Sequence, residues 1–246
     1  MKKITGSAPA KINLTLDVER KNPGAEKHHV RTILHKISLA DELTLFAADR
    51  FELHGDFDCD PEDNLIVQAW RVVRKYFPDS SAVIVRVQKN IPVASGLGGG
   101  SSNFAAFVKL YAELFDLKIP EELISESEKI GADIPFFFSG NLCALGENFG
   151  EKITLLDFNF SGKKIWLHVP PNKNLTAEMY ANLKNFGTKF TEKFLENPDL
   201  EKCGNAFDEI FPADWRNVHL SGSGSAFFTL EKTEFQGHKI IEATLA

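Results

Sequence analysis

A glycine-rich stretch near the middle of the chain carries the residue types best suited to chemistry. It reads Pro92-Val93-Ala94-Ser95-Gly96-Leu97-Gly98-Gly99-Gly100-Ser101-Ser102, and apolar residues at helical spacing follow from Phe104 to Phe115. Glycines let backbone N–H groups approach a ligand closely. A helix N-terminus adds unpaired N–H donors and a positive dipole, which suits an anion. The stretch therefore predicts a phosphate-binding loop that opens into a helix.

Three common phosphate loops do not fit this stretch. A Walker A loop needs a lysine before its final Ser or Thr, and none lies between Gly96 and Ser102. A dinucleotide fingerprint, counted from Gly96, would need glycine where Ser101 stands. The protein-kinase loop has no HRD or DFG motif downstream. A flexible surface loop is a further alternative, but such loops seldom join a strand directly to a helix.

Other polar residues have simple structural explanations when they are read alone. Lys11 and Asn13 alternate with apolar residues, which predicts the polar face of a half-buried strand, where a lysine is usually solvated. His28 lies in a polar turn region. Asp133 follows Gly131 and precedes an apolar run, so it could cap the next helix.

The predicted elements place the glycine-rich stretch between a strand and a helix. Period-2 and period-3.6 patterns, with caps, give the boundaries. The predicted strands are 10–18, two short strands within 33–46, 83–87 continuing to Pro92, 142–145, 165–169 and 226–230; the predicted helices are 65–77 capped by Asp63, 104–115, 120–130 ended by Gly131, and 176–183.

Composition limits the function classes. The chain has 246 residues, 43% of them hydrophobic and 25% charged, with a net charge of −6. No basic block indicates nucleic-acid binding, and no apolar run is long enough for a membrane span. Three widely spaced cysteines indicate neither a disulfide framework nor a zinc site. We expect a cytoplasmic globular enzyme.

Four segments resemble one family. Residues 92–106 resemble the phosphate-binding motif of the GHMP small-molecule kinases, in the GLGGGSS form of the 4-diphosphocytidyl-2-C-methyl-D-erythritol kinases. Residues 7–14 are similar to that family's N-terminal motif, 131–137 to its catalytic-aspartate segment and 220–225 to its third, glycine-rich motif. The resemblance implies an α+β GHMP kinase fold. Its N-terminal domain (1–158) would resemble ribosomal protein S5 domain 2, and its ferredoxin-like C-terminal domain (159–246) is shortened after Asn205.

The same resemblance implies roles for individual residues. Asp133 would accept the proton of the acceptor hydroxyl, and Lys11 would lie beside both the Asp133 carboxylate and that hydroxyl. Mg²⁺ would bridge the phosphate oxygens of ATP, and no protein metal ligands are predicted. The residues implied to bind substrate are Asn13, His28, Thr176 and Tyr180; those implied to bind ATP are Pro92, Val93, Ala94, Ser95, Gly96, Leu97, Gly98, Gly99, Gly100, Ser101 and Ser102.

The implied activity is transfer of the ATP γ-phosphate to the 2-hydroxyl of 4-diphosphocytidyl-2-C-methyl-D-erythritol, in the non-mevalonate isoprenoid pathway. Lys27 stands where the family usually has a tyrosine that stacks on cytosine. That departure keeps one alternative open, a GHMP kinase for another small alcohol, such as homoserine or mevalonate. A catalytically silent nucleotide-binding relative is a further alternative, against which the presence of both Lys11 and Asp133 speaks. The expected partner is a small molecule, and we expect a monomer or a homodimer.

Overall fold

A computed structural model describes residues 2–21, 24–25, 27–158, 160–172, 176–212, 215 and 217–246. Strands and helices are interspersed along the chain. The strands are β1 (Lys3–Val18), β2 (Val30–Ala48), β3 (Glu52–His54), β4 (Ala82–Gln88), β5 (Cys143–Glu147), β6 (Lys152–Leu156), β7 (Lys164–Val169), β8 (Gly204–Asn205), β9 (Val218–Leu220), β10 (Phe227–Thr229) and β11 (Lys239–Thr244); the helices are α1 (Leu65–Tyr76), α2 (Gly99–Leu114), α3 (Glu121–Ser127), α4 (Ile134–Phe138), α5 (Thr176–Asn182) and α6 (Phe190–Glu196).

One compact unit comprises Met1–Ala10, Leu39–Val93 and Gly98–Gly140. In it β4 pairs antiparallel with the end of β2 and parallel with β3. Val83, Val85 and Val87 on β4 are buried, whereas Arg86 is exposed, as the period of two predicts. The α1 and α2 helices pack together over this sheet, and Phe104 and Tyr111 on α2 are completely buried in the shared core.

The other compact unit comprises Lys11–Ser38, Ala94–Leu97 and Asn141–Ala246. It contains part of the seven-stranded sheet to which β2 belongs, with the start of β2 paired with β5, β5 with β6, and β1 with β8. Its second sheet has four antiparallel strands in the order β11-β7-β10-β9. A core that includes Leu16, Phe207, Leu220 and Phe227 holds this unit together. The predicted division into 1–158 and 159–246 stays a prediction.

Several predicted boundaries were wrong. The two short strands expected within 33–46 form one continuous strand, β2, because both of its ends have pairing partners. Asn64, and not Asp63, caps α1, since its side chain accepts the Ile66 N–H at 2.9 Å. The helix expected from 120 to 130 ends at Ser127, and turns fill residues 128–130.

The interspersed strands and helices confirm the predicted α+β class. None of the helices in the described residues is long and apolar enough to cross a membrane. All three cysteines are free thiols; Cys143 and Cys203 are buried and Cys59 is exposed.

Candidate functional site

The N-terminus of α2 is built to leave its N–H groups open to a ligand. Gly98 occupies the N-cap position at φ +70°, in the left-handed region, and provides no side-chain cap. The first N–H groups of a helix have no partner within it. Ser102 follows in the first turn, and its buried Oγ has no hydrogen-bond partner among the described residues. The local geometry therefore combines N–H donors with an unused hydroxyl, as anion binding requires.

A lysine that the sequence analysis missed lies beside this helix end. Lys89 Nζ would be 3.5 Å from a Cβ built on Gly99. It forms an ion pair with Asp41, whose other oxygen accepts the N–H groups of Asn90 and Ile91 at 2.7 and 2.9 Å. The ammonium is thus held in place next to the glycine-rich loop. The sequence could have indicated this lysine, because it lies at the end of a strand and three residues before Pro92, where the glycine-rich stretch begins.

The preceding segment, residues 94–97, meets a second glycine-rich loop. Ser221 Oγ donates to Gly96 O at 2.9 Å, and Ala226 N–H donates to Ser95 O at 2.9 Å. Gly96 has φ +79°, and a Cβ there would lie 2.1 Å from Ser221 O. Only glycine fits this close approach of two backbones.

Asn205 and Asp208 position this second loop, residues 220–225. Asn205 Nδ2 donates to the carbonyls of Leu220 and Gly222, each at 2.8 Å. Asp208 accepts the N–H of Leu220 at 2.8 Å, His219 Nδ1 at 2.8 Å and the Asn205 N–H at 3.0 Å. Burial raises the pKa of the Asp208 carboxyl, while the hydrogen bond from His219 acts in the opposite direction. The loop is therefore fixed by buried polar contacts.

Lys11 and Asn13 lie together beneath the same loop. Lys11 Nζ donates to Asn13 Oδ1 at 2.6 Å, and Asn13 Nδ2 donates to Thr32 Oγ1 at 2.7 Å. A Cβ on Gly222 would be 3.5 Å from Asn13 Oδ1 and 3.7 Å from Lys11 Nζ. The two side chains share one face of β1, as predicted. The expectation of a half-buried, solvated face was wrong, since Lys11 is 3% and Asn13 4% exposed.

Asp133 lies in a turn between α3 and α4, in the unit that also contains Ser101 and Ser102. It occupies the N-cap position of α4, yet its side chain makes no capping hydrogen bond to that helix. The structural explanation offered by the sequence, a helix cap, is therefore wrong for this carboxylate. Gly131, two residues earlier, lies against Ser101, whose Oγ would be 3.2 Å from a Cβ there.

A pocket of about 740 Å³ lies in the unit that contains Lys11 and Asn13. His28, Thr176 and Tyr180, three of the four residues predicted to bind substrate, line this pocket. Asn13, the fourth, lies instead with Lys11. Ser223 Oγ donates to Thr176 Oγ1 at 3.1 Å, so the second glycine-rich loop contacts the start of α5 at the pocket wall.

Aromatic rings form much of the pocket wall. The His28 ring stacks on Tyr180 at 5.5 Å and on Phe186 at 5.3 Å between centroids. His28 Nδ1 lies 2.8 Å from the carbonyl oxygen of Glu19. Because a carbonyl can only accept, Nδ1 carries the proton in this hydrogen bond, and in the neutral ring Nε2 is then an acceptor. The stacked rings hold His28 in place, and the hydrogen bond to Glu19 defines its tautomer.

The pocket also carries positive charge that the sequence analysis did not assign. Arg20, Lys21 and Lys27 line it, and no Asp or Glu is among its lining residues in the described part of the chain. Arg20 lies over the Phe186 ring, with Cζ 4.7 Å from the centroid. Cations with aromatic rings suit a planar, anionic ligand. The described residues contain no cluster of three His, Cys, Asp or Glu side chains that could hold a metal ion.

Comparison with known proteins adds independent findings. The sequence pattern of the GHMP kinases N terminal domain matches residues 64–141, which include the glycine-rich stretch and Asp133. A 4-diphosphocytidyl-2-C-methyl-D-erythritol kinase from Porphyromonas gingivalis is 36% identical over 248 residues, covering 90% of this chain and 89% of that protein. One from Thermotoga maritima is 39% identical over 249 residues, covering 90% and 89%.

A solved structure is also similar. The crystal structure of a 4-(cytidine 5'-diphospho)-2C-methyl-D-erythritol kinase matches with a TM-score of 0.77 and 26% identity, covering 92% of this chain and 89% of that one. The similarity therefore extends over nearly the whole length in both sequence and structure.

Proposed function

Because the chain belongs to the 4-diphosphocytidyl-2-C-methyl-D-erythritol kinase family of the GHMP kinases, we propose that it transfers the γ-phosphate of ATP to the 2-hydroxyl of that cytidyl polyol. The predicted family and GHMP kinase fold are confirmed. The reaction is a step of the non-mevalonate isoprenoid pathway. The observation that carries the substrate choice is the pocket, in which stacked aromatic rings are combined with three cations and, among the described lining residues, no carboxylate.

ATP would bind with its phosphates at the glycine-rich stretch, residues 92–102. The N-terminus of α2 supplies N–H donors there, and Lys89 supplies a fixed positive charge beside Gly99. Phosphoryl transfer depends mainly on positioning and on neutralising charge. Both requirements are met by groups that the protein already holds in place.

Mg²⁺ fits the oxygen donors at this helix end. Ser102 Oγ and Asn103 Oδ1 are buried without partners among the described residues, and both are neutral oxygens of the kind that Mg²⁺ accepts. We propose that Ser102 contacts the ion. Mg²⁺ usually keeps several waters and binds substrate phosphates, so a dedicated cage of carboxylates is not needed. When bound, the ion would neutralise negative charge on the phosphate oxygens.

In the chemical step, the 2-hydroxyl oxygen would bond to the γ-phosphorus while the bond from that phosphorus to the β,γ-bridging oxygen breaks, releasing ADP. Asp133 would take the hydroxyl proton, because residues 131–137 resemble the family's catalytic-aspartate segment and a carboxylate can act as the general base. Lys11 would stabilise the negative charge that develops on the reacting oxygens. The hydrogen bond from Lys11 Nζ to Asn13 Oδ1 holds the ammonium in position for this role.

The cytidine diphosphate part of the acceptor would occupy the pocket. An aromatic wall suits a pyrimidine base, and Arg20, Lys21 and Lys27 suit a diphosphate. His28 Nε2, as an acceptor, would take a hydrogen bond from the exocyclic amino group of cytosine. Homoserine and mevalonate carry no base, so neither would use the stacked rings.

The test is ATP consumption by the purified protein with Mg²⁺ and each of three acceptors. We expect turnover with 4-diphosphocytidyl-2-C-methyl-D-erythritol and none with homoserine or mevalonate. Turnover with only homoserine or only mevalonate would refute the proposed substrate assignment. Binding of ATP without turnover of any acceptor would favour a silent relative. We further propose that the protein acts in the cytoplasm as a monomer or a homodimer.

A further inference from the structure

Phe149 stands out among the residues of the pocket because its ring is unusually open to solvent. Four large hydrophobic side chains of the described residues are strongly exposed, and Phe149, at 40%, is the aromatic one. It lines the pocket that also contains Lys27 and His28. Ligand pockets are lined mainly by hydrophobic and aromatic side chains, so an exposed aromatic ring on this wall is available to contact a ligand.

The backbone holds this ring in place. Phe149 lies in the turn between β5 and β6, next to Asn148 at φ +63°. The Asn148 carbonyl accepts the Val30 N–H at 2.7 Å, and the Glu151 carboxylate accepts the Phe149 N–H at 2.9 Å. The Phe149 ring also contacts His29, with centroids 5.1 Å apart and planes tilted by 53°. A ring held in this way would lose little entropy when it stacks on a ligand.

The other aromatic residues of the pocket are already engaged with one another. His28 stacks on both Tyr180 and Phe186, and Tyr180 meets Phe207 edge-on at 4.9 Å. Phe149 is not part of this group of rings, and it lies under the charge of Lys27, whose Nζ is 5.9 Å from the ring centroid. Phe149 therefore combines an exposed ring with a neighbouring cation, which are the two features that a base joined to a diphosphate would contact.

From this arrangement we infer that Phe149 is the stacking platform for the pyrimidine base of the acceptor and so determines its specificity. Lys27 places a positive charge beside that base, toward the diphosphate. This inference rests on the proposed function and adds a residue to it. It also accounts for a lysine at position 27, because the aromatic surface comes from the β5–β6 turn.

The test compares binding of cytidine monophosphate, by isothermal titration, in the wild type and in variants at Phe149. Removing one aromatic platform weakens binding of a stacked base by about 5- to 150-fold. We expect Phe149→Ala and Phe149→Leu to bind the nucleotide at least about fivefold more weakly, and Phe149→Trp to retain it. Leucine keeps the apolar bulk but lacks the π-face, so weaker nucleotide binding by Phe149→Leu distinguishes stacking from packing.

Leu155→Ala is the matched control, because Leu155 is also a strongly exposed hydrophobic residue but is not among the residues that line the pocket. It should bind the nucleotide as the wild type does, and KM for ATP should be unchanged in all four variants. Wild-type affinity in Phe149→Ala or Phe149→Leu would overturn the inference and leave the proposed function intact. A wild-type protein that neither binds cytidine monophosphate nor phosphorylates the cytidyl acceptor would overturn both.

Discussion

Replacing Gly96 with alanine should lower the free energy of unfolding by about 3 to 4 kcal/mol. Two costs add up. Gly96 has φ +79°, where an alanine costs about 1 to 2 kcal/mol. Its new Cβ would also lie 2.1 Å from Ser221 O and 2.9 Å from Gly224 O, so the second glycine-rich loop would have to withdraw.

That withdrawal would disrupt two hydrogen bonds between the segments, Ser221 Oγ to Gly96 O and Ala226 N–H to Ser95 O. Each contributes about 1 kcal/mol. Gly162→Ala is the matched control, since Gly162 has φ +78° and no atom of the described residues lies within 4 Å of its Cβ position. Its free energy of unfolding should fall by the backbone cost alone, about 1 to 2 kcal/mol.

Urea unfolding monitored by tryptophan fluorescence would measure both variants, and KM for ATP would be measured in parallel. We expect Gly96→Ala to be less stable than Gly162→Ala by about 2 kcal/mol and to have a higher KM for ATP, because the displaced segment continues into the predicted phosphate loop. Equal losses of stability in the two variants would refute the contact between the loops.

Three further predictions follow from single residues. Asp133→Asn should fold and bind ATP normally but lose turnover by about 10²- to 10⁴-fold, and near-normal turnover would remove Asp133 from the mechanism. Ser102→Ala should keep wild-type stability, because the Ser102 Oγ has no partner in the described part of the chain, yet it should raise KM for Mg-ATP. A loss of stability with unchanged KM would contradict the proposed contact of Ser102 with Mg²⁺. Burial, aided by the charge of His238, lowers the pKa of His168 from 6.5 to about 4. As the pH falls, His168 is therefore protonated in the unfolded chain before it is protonated in the folded protein. Protonation favours the unfolded chain, so the free energy of unfolding that is present above pH 6.5 decreases as the pH falls toward about 4. When the pH is lowered from about 7 to 5, the free energy of unfolding measured in urea should decrease by about 2 kcal/mol less in His168→Gln than in the wild type. Equal decreases in the two proteins would refute this.

The local features of the site could be predicted from the sequence because short-range rules determine them. A glycine-rich stretch between a strand pattern and a helix pattern predicted the loop and the start of α2. Alternation along β1 predicted that Lys11 and Asn13 share a face. The four segments that resemble one family, in the right order, predicted the fold and the chemistry.

The surroundings of these residues depended on tertiary contacts. Lys11 and Asn13 are buried because the loop carrying Gly222, over 200 positions away in the chain, covers them. The period-2 pattern gives a polar face but does not say what covers it. Likewise β2 is a single strand because β4 and β5 pair with its two ends.

The pocket proposed to bind the acceptor shows the same division most clearly. The family resemblance of the sequence predicted His28, Thr176 and Tyr180 as substrate-binding residues, and it placed Lys27 where that family usually has a tyrosine. Only the tertiary structure brought Phe149 to the pocket, since its position depends on the hairpin of β5 and β6 and on the Val30 to Asn148 hydrogen bond. A side chain's local pattern determines the element it belongs to, whereas its neighbours across the fold determine whether it packs inward or faces a ligand.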